Sequence, residues 1–201
     1  DGSKVFVANQ RGNVPVTVHM ATGFSGTEIR GTVSVIDTAS KSLATTLTQV
    51  GIEPYGVAVA PNGRWFAVTG FRSATVKLFS TSTLAELASH QYLWNLSNIP
   101  APYTVVDVDS NRDGMADVGE PRGFTIRSDS ARLYVTHDRS PFVSVLDVAL
   151  DGSGDPTGIS LAAKIDLNTY PFDPFYNAAN VQTIQSQGLP RFSEDIALSP
   201  D

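Results

Sequence analysis

The chain contains no cysteine, and this absence removes several chemistries at once. Without a thiol there can be no disulfide bond, no thiolate zinc site, no covalently attached c-type haem and no cysteine nucleophile. The absence leaves the cellular compartment open, because both cytosolic and exported proteins can lack cysteine.

Positive charge is also scarce. Charged residues make up 17% of the 201 positions, and the formal net charge is −6. A protein of this kind lacks the basic stripe that neutralises phosphates, so no nucleic-acid partner is expected. No apolar run approaches the roughly 18 residues that a membrane-spanning helix needs, and no segment resembles a signal peptide. The sequence therefore predicts no transmembrane segment.

Familiar catalytic motifs are missing as well. The sequence has no nucleophile elbow, no closely spaced pair of histidines, no phosphate-binding loop and no dinucleotide fingerprint. Their absence argues against an enzyme without excluding one, because the active sites of some folds assemble from single residues that are far apart in sequence.

What the chain does have is a repeat. One unit begins at Pro54, a second at Pro121 and a shorter one at Pro190, and the N-terminal segment DGSKVFVANQ is similar to the second half of the unit. The units span residues 1–53, 54–120 and 121–189, and a further unit begins within 190–201. Equivalent turn residues are Asp1, Asn62, Asp129 and Asp201.

Each unit has the pattern of short β-strands. In the second unit, valine alternates with smaller residues in GVAVAP, as in a β-strand. The pair Asn62-Gly63 that follows is typical of a tight hairpin turn, and the next segment, RWFAVTG, is almost continuously apolar. TVKLFS supplies a third strand, and segments such as LATTLTQ supply an outer fourth. Four short antiparallel strands per repeat are typical of a β-propeller blade, so an all-β propeller fold is predicted.

The amino-acid sequence of the repeat resembles the YVTN family of β-propeller repeats. The similarity lies in VSVIDTASKSLATTL, PYGVAVAPNG and LYVTHDRSPFVSVLDV, with the Tyr-Val-Thr-Asn slot taken by FVAN (6–9), FAVT (66–69) and YVTH (134–137). It does not extend into three long inserts, 11–30, 89–120 and 151–189. The resemblance implies a propeller but no particular activity, since these repeats occur in proteins with different roles.

About three blades cannot close a ring, because propellers typically have four to eight. A ring of six to eight blades is expected. The remaining blades would come from the same longer chain or, as an alternative, from a symmetric partner.

An acidic stretch, DVDSNRDGMADVGE (107–120), interrupts the second unit, and its last twelve residues, from Asp109, form a candidate loop. Its spacing matches the ligand positions of an EF-hand loop, in which side-chain oxygens converge because the chain turns sharply at a glycine, here Gly114. Similar loops occur without flanking helices in dockerin-like modules. The predicted calcium ligands are Asp109, Asn111, Asp113, Met115 (through its carbonyl), Asp117 and Glu120. The alternative is a solvated acidic turn.

The predicted calcium loop bears on localisation. An isolated loop of this kind binds in the range of about 10⁻⁵–10⁻³ M, which extracellular calcium saturates and resting cytosolic calcium does not. The protein is therefore expected to be extracytoplasmic (periplasmic, cell-surface or secreted), from a bacterium or an archaeon.

A second candidate site lies where each unit enters its innermost strand. In a propeller these positions surround the mouth of the central channel, where converging arginines can hold an anion. The candidate residues are Tyr55, Arg122, Arg191, Glu194 and His137. The alternative is a cluster of salt bridges without a ligand, and for His137 an ordinary turn position.

Two functions remain open at this point. The first is an exported, calcium-stabilised propeller that serves as a binding or structural module for a protein or a small anionic ligand. The second is a propeller enzyme of the lactonase or quinoprotein-like type, with its active site at the channel mouth.

Overall fold

A computed structural model describes residues 2–19, 25–71, 73–92, 121–137, 142–166 and 196–199, with the backbone alone for 11–19, 25–30, 142 and 166. Within these ranges the chain forms strands and turns, and no helix. No membrane-spanning helix is found in the described part of the chain.

The strands form three antiparallel sheets, each a meander in which sequential strands are neighbours. The first sheet contains β1 (Lys4–His19), β2 (Ser25–Asp37) and β3 (Ser42–Leu47). The second contains β4 (Pro54–Val59), β5 (Trp65–Gly70), β6 (Thr75–Ser80) and β7 (Glu86–Gln91). The third contains β8 (Pro121–Ile126), β9 (Arg132–His137), β10 (Phe142–Leu150) and β11 (Pro156–Asp166).

The sheets are propeller blades, which confirms the predicted fold class. The innermost strands β4 and β8 contact each other, the outer strands β7 and β11 contact each other, and β1 packs beside β4. The first sheet has three strands in the described residues, and β1 corresponds to the second strand of the other two blades.

The same type of turn joins β4 to β5 in the second blade and β8 to β9 in the third. The carboxamide of Asn62 accepts a hydrogen bond from the backbone N–H of Arg64 at 3.0 Å. In the third blade, the carboxylate of Asp129 accepts the same bond from Ala131 at 3.0 Å. Asn and Asp favour this position because their short side chains can cap the backbone two residues on. The equivalence of Asn62 and Asp129, predicted from the repeat, is confirmed.

The same turns join the two blades to each other. Ser130 has a left-handed backbone (φ 62°) where the second blade has Gly63 (φ 73°). A serine is strained in this conformation. Its buried hydroxyl, however, accepts a hydrogen bond from the N–H of Asn62 at 3.0 Å, across the blade interface. Nearby, the guanidinium of Arg64 makes a two-pronged ion pair with Asp155, at 2.6 and 3.0 Å.

The hydrophobic core lies between blades rather than within one. All six residues of β5 are buried, because this strand is covered on both faces. Trp65 and Ala67 face the third blade, whereas Phe66 and Val68 face the first, as the alternation of a strand requires. The other buried residues between the second and third blades include Val76, Leu78, Tyr92, Phe124, Leu133, Val135, Leu146 and Val148.

The register differs from the sequence alignment by one residue in the second blade. Pro54 pairs with Gly70, and Pro121 pairs with His137. Residues 67–70 therefore correspond to YVTH (134–137), not residues 66–69. The apolar run in β5 is continuous, so it contains no alternation from which the register can be determined.

All three predicted inserts are partly strand in the described residues, and in the segment 89–120 the strand is the end of β7, which continues to Gln91. Within the segment 11–30, β1 continues to His19 and β2 begins at Ser25, so the described parts of this insert extend these two paired strands. The pairing shifts register between Asn9 and Val14, where this extension begins. Likewise β11 occupies part of the segment 151–189, so that insert begins later than the sequence indicated.

Candidate functional site

The structure brings together two residues that the repeat predicted to be equivalent. Tyr55 and Arg122 each follow the proline that opens an innermost strand, β4 and β8 respectively. Because these strands contact each other, the two side chains meet at one end of the blade interface. The guanidinium carbon of Arg122 lies 5.2 Å from the centre of the Tyr55 ring.

A third residue, Phe71, completes this arrangement, and the sequence analysis missed it. Its ring centre lies 5.3 Å from the guanidinium carbon of Arg122. Phe71 follows β5 directly, and its N–H donates to the carbonyl of Glu53 at 3.0 Å, which holds it beside the start of β4. Its position after the strand that pairs with β4 was the signal that could have found it. We call Tyr55, Phe71 and Arg122 the mouth cluster.

The backbone beneath the mouth cluster is held by Thr69. Its hydroxyl accepts a hydrogen bond from the N–H of Gly56 at 2.8 Å and donates one to the carbonyl of Arg122 at 2.6 Å. The two innermost strands approach closely here, because a Cβ on Gly56 would lie 2.9 Å from the Arg122 carbonyl oxygen. The position of Arg122 is thus set by backbone contacts as well as by the two rings.

The chemistry of the mouth cluster suits recognition. The guanidinium of an arginine presents its donors in a planar fork that matches carboxylate and phosphate. Two aromatic faces near a guanidinium attract it through their quadrupoles and restrict its rotation. Tyr55 is 36% exposed, so part of its ring is open to solvent.

His137 lies at the same end of its blade, since it pairs with Pro121, but its side chain is fully buried. It shares a hydrogen bond with the buried hydroxyl of Ser144. The ring of Tyr92 packs edge-on against His137, with 4.8 Å between ring centres, and His90 packs edge-on against Tyr92 at 4.6 Å. We call His90, Tyr92, His137 and Ser144 the seam cluster, because it joins the second blade to the third.

Burial governs the ionisation of the seam cluster. It lowers the pKa of His137 to about 3, and the positive charges of His90 and Lys164 act in the same direction. Burial also lowers the pKa of His90 and raises that of Tyr92. The Tyr92 hydroxyl lies near Ser144 without ideal hydrogen-bond geometry. The imidazole of His137 is therefore neutral at physiological pH.

The remaining predicted site residues lie outside the described residues. They are Arg191 and Glu194 at the channel mouth and the six calcium ligands Asp109, Asn111, Asp113, Met115, Asp117 and Glu120. Within the described ranges, no three His, Asp or Glu side chains converge to hold a metal ion.

Comparison with solved structures finds similarities of limited extent. A chain of the mitotic checkpoint complex is 15% identical with a TM-score of 0.46, over 71% of this chain and 36% of that chain. Hydrazine synthase from Kuenenia stuttgartiensis is 18% identical with a TM-score of 0.46, over 69% and 30% of the two chains. A protein of unknown function from Desulfotomaculum acetoxidans is 14% identical with a TM-score of 0.44, over 67% and 35%.

This chain thus spans about a third of the length of these solved chains. No protein-family model matches the sequence, and no curated protein matches it. The resemblance to YVTN repeats and to EF-hand loops therefore stays a prediction. The described geometry establishes a set of β-propeller blades.

Proposed function

We propose that the protein is a binding module whose mouth cluster recognises an anionic group on a small molecule or a protein. The observation that supports this most is the position of Arg122, whose guanidinium carbon lies 5.2 Å from the ring centre of Tyr55 and 5.3 Å from that of Phe71. A guanidinium held in this way loses little rotational freedom when it binds, so more of the interaction energy appears as affinity. The partly open ring of Tyr55 adds a flat apolar surface beside the charge.

Replacement of Arg122 tests this proposal. The protein is titrated with benzoate and with inorganic phosphate, and NMR spectra are recorded at each step. The chemical shifts of the mouth cluster should change as the anion binds. Arg122→Gln should weaken that binding roughly tenfold or more, because a charge-assisted hydrogen bond and a cation–π contact are both lost. Arg122→Lys should have an intermediate effect, since it keeps the charge without the planar fork.

Arg64→Gln is the matched control. Arg64 lies at the opposite end of the strands and pairs with Asp155, so its loss should leave the titration unchanged. Equal binding by the wild type and by Arg122→Gln would show that the mouth cluster is not the recognition site.

We also propose that the loop 109–120 binds calcium and stabilises the propeller. The support is the spacing of its oxygen-bearing residues around Gly114, since five carboxylates or amides in one loop would otherwise repel each other or remain solvated. A divalent ion offsets this repulsion. The ion would hold the segment that precedes Pro121, and so the start of the third blade.

Calcium at 2 mM should stabilise the protein by about 1–2 kcal/mol if its dissociation constant is near 10⁻⁴ M, and EDTA should remove the effect. Thermal unfolding with and without calcium measures it. Asp109→Ala/Asp113→Ala should abolish the stabilisation, whereas Asp107→Ala, in the same stretch but outside the ligand spacing, should keep it. A melting temperature that is indifferent to calcium would contradict the proposal.

The extracytoplasmic localisation follows from the same proposal. A dissociation constant between about 10⁻⁵ and 10⁻³ M suits a compartment rich in calcium. Calorimetric titration with calcium measures this dissociation constant. A submicromolar value would permit a cytosolic role and remove the reason for proposing export.

A further inference from the structure

The seam cluster contains a substitution within the repeat. In the first blade, Ser34 pairs with Val7, and in the third blade Ser144 pairs with Val135. Asn9 and His137 each follow that partner by two residues, so they occupy the same position in their blades. A neutral amide thus stands in one blade where a titratable imidazole stands in another.

The two residues also make the same contact. The side-chain amide of Asn9 donates to the hydroxyl of Ser34 at 2.9 Å. His137 shares a hydrogen bond with the hydroxyl of Ser144 through Nε2. An asparagine therefore meets the hydrogen-bonding requirement of this position. What histidine adds is the capacity to take up a proton.

The surroundings of His137 disfavour that proton. His137 and Ser144 are both fully buried, and Tyr92 is 4% exposed. In the described part of the chain, the ionisable groups that act on His137 include His90 from β7, Tyr92 just after β7, and Lys164 from β11. Two of these groups are positive when protonated, and the third is a neutral phenol. A charged imidazole in such a place is costly unless it is paired or exposed to water.

We propose that His137 makes the junction between the second and third blades sensitive to acid, so that its protonation opens this junction. Opening would bring water to the imidazole and to the apolar residues beside it, Leu133 and Val135 among them. The device requires only the contacts of the seam cluster, so it holds whether or not the mouth cluster binds an anion.

The direction of the effect follows from linkage. His137 binds its proton at about pH 3 in the closed state and, once exposed, near the ordinary value of 6.5. The free-energy preference for the closed state is complete above pH 6.5 and decreases as the pH falls towards 3. Over this window the opening equilibrium shifts by about tenfold per pH unit, or roughly 100-fold between pH 7 and pH 4.5.

Hydrogen exchange followed by mass spectrometry measures the opening. After correction for intrinsic rates, peptides covering residues 86–92 and 132–137 of the wild type should show opening that rises roughly 100-fold between pH 7 and pH 4.5. His137→Asn, which copies Asn9, should remove this rise. His90→Asn should keep most of it, and peptides from β2 serve as an internal reference.

Two results would overturn the proposal: no acid-dependent opening in the wild type, or the same opening in His137→Asn. If His137→Asn fails to fold, NMR titration of the wild-type histidines decides instead. A His137 ring that stays neutral down to pH 4.5 in the closed state supports the proposal. A ring that titrates near pH 6.5 without any opening refutes it.

Discussion

Phe66→Ala is expected to lower the free energy of unfolding by about 3–5 kcal/mol. Phe66 is fully buried in β5 and forms the middle of a column of three rings. Its ring centre lies 4.2 Å from that of Phe6 in the first blade and 5.3 Å from that of Phe79 in β6. Truncation leaves a cavity that neighbouring strands cannot fill, because both faces of β5 are covered.

Equilibrium unfolding in urea, followed by circular dichroism, measures this loss. Phe66→Leu should cost less than Phe66→Ala, since it restores part of the volume. Leu43→Ala is the matched control, because Leu43 is 60% exposed and its truncation should change stability by no more than about 0.5 kcal/mol. Similar losses for Phe66→Ala and Leu43→Ala would mean that the junction of the first two blades contributes little to stability.

Gly31→Ala is expected to cost about 3 kcal/mol or more, although it adds a single methyl group. A Cβ at this buried position in β2 would overlap Pro54 Cδ, lie 2.5 Å from Pro54 Cγ and lie 2.6 Å from the carbonyl oxygen of Asn9. The proline ring is rigid and the carbonyl belongs to the backbone, so neither can move without shifting a strand. The first two blades would have to separate.

The same urea measurement serves here, with Gly158→Ala as the control. Gly158 lies in β11, and a Cβ there meets no atom within 4 Å. Its replacement should change stability by no more than about 0.5 kcal/mol. Full stability of Gly31→Ala would contradict the close approach of Pro54 to β2.

Local structure was predictable because its causes are local. The third strand of the second blade was predicted at 75–80 and forms Thr75–Ser80. The Asn62-Gly63 pair makes the predicted turn, with Gly63 at a positive φ. The innermost strand begins at Pro54, two residues before the predicted alternation, because a proline can open a strand without donating to it.

The alignment of β5 within the repeat and the burial of His137 were harder to predict from the sequence. The continuous apolar run of β5 revealed that both faces are covered, but it concealed the one-residue shift between 66–69 and 67–70. His137 is the last residue of β9, and the end of a strand is usually exposed, yet Tyr92 from the preceding blade covers this side chain. The spacing of residues within one repeat contains no information about a side chain supplied by the neighbouring repeat.

The sequence by itself determined the repeat, the all-β blades and the equivalence of Tyr55 with Arg122, because these depend on side-chain alternation, turn residues and spacing along the chain. Only the tertiary structure decided that Phe71 lies beside Arg122 and that His137 is buried at the junction of two blades. Both contacts connect different strands or blades, and the distance across such a junction is set by how the faces of the sheets pack together.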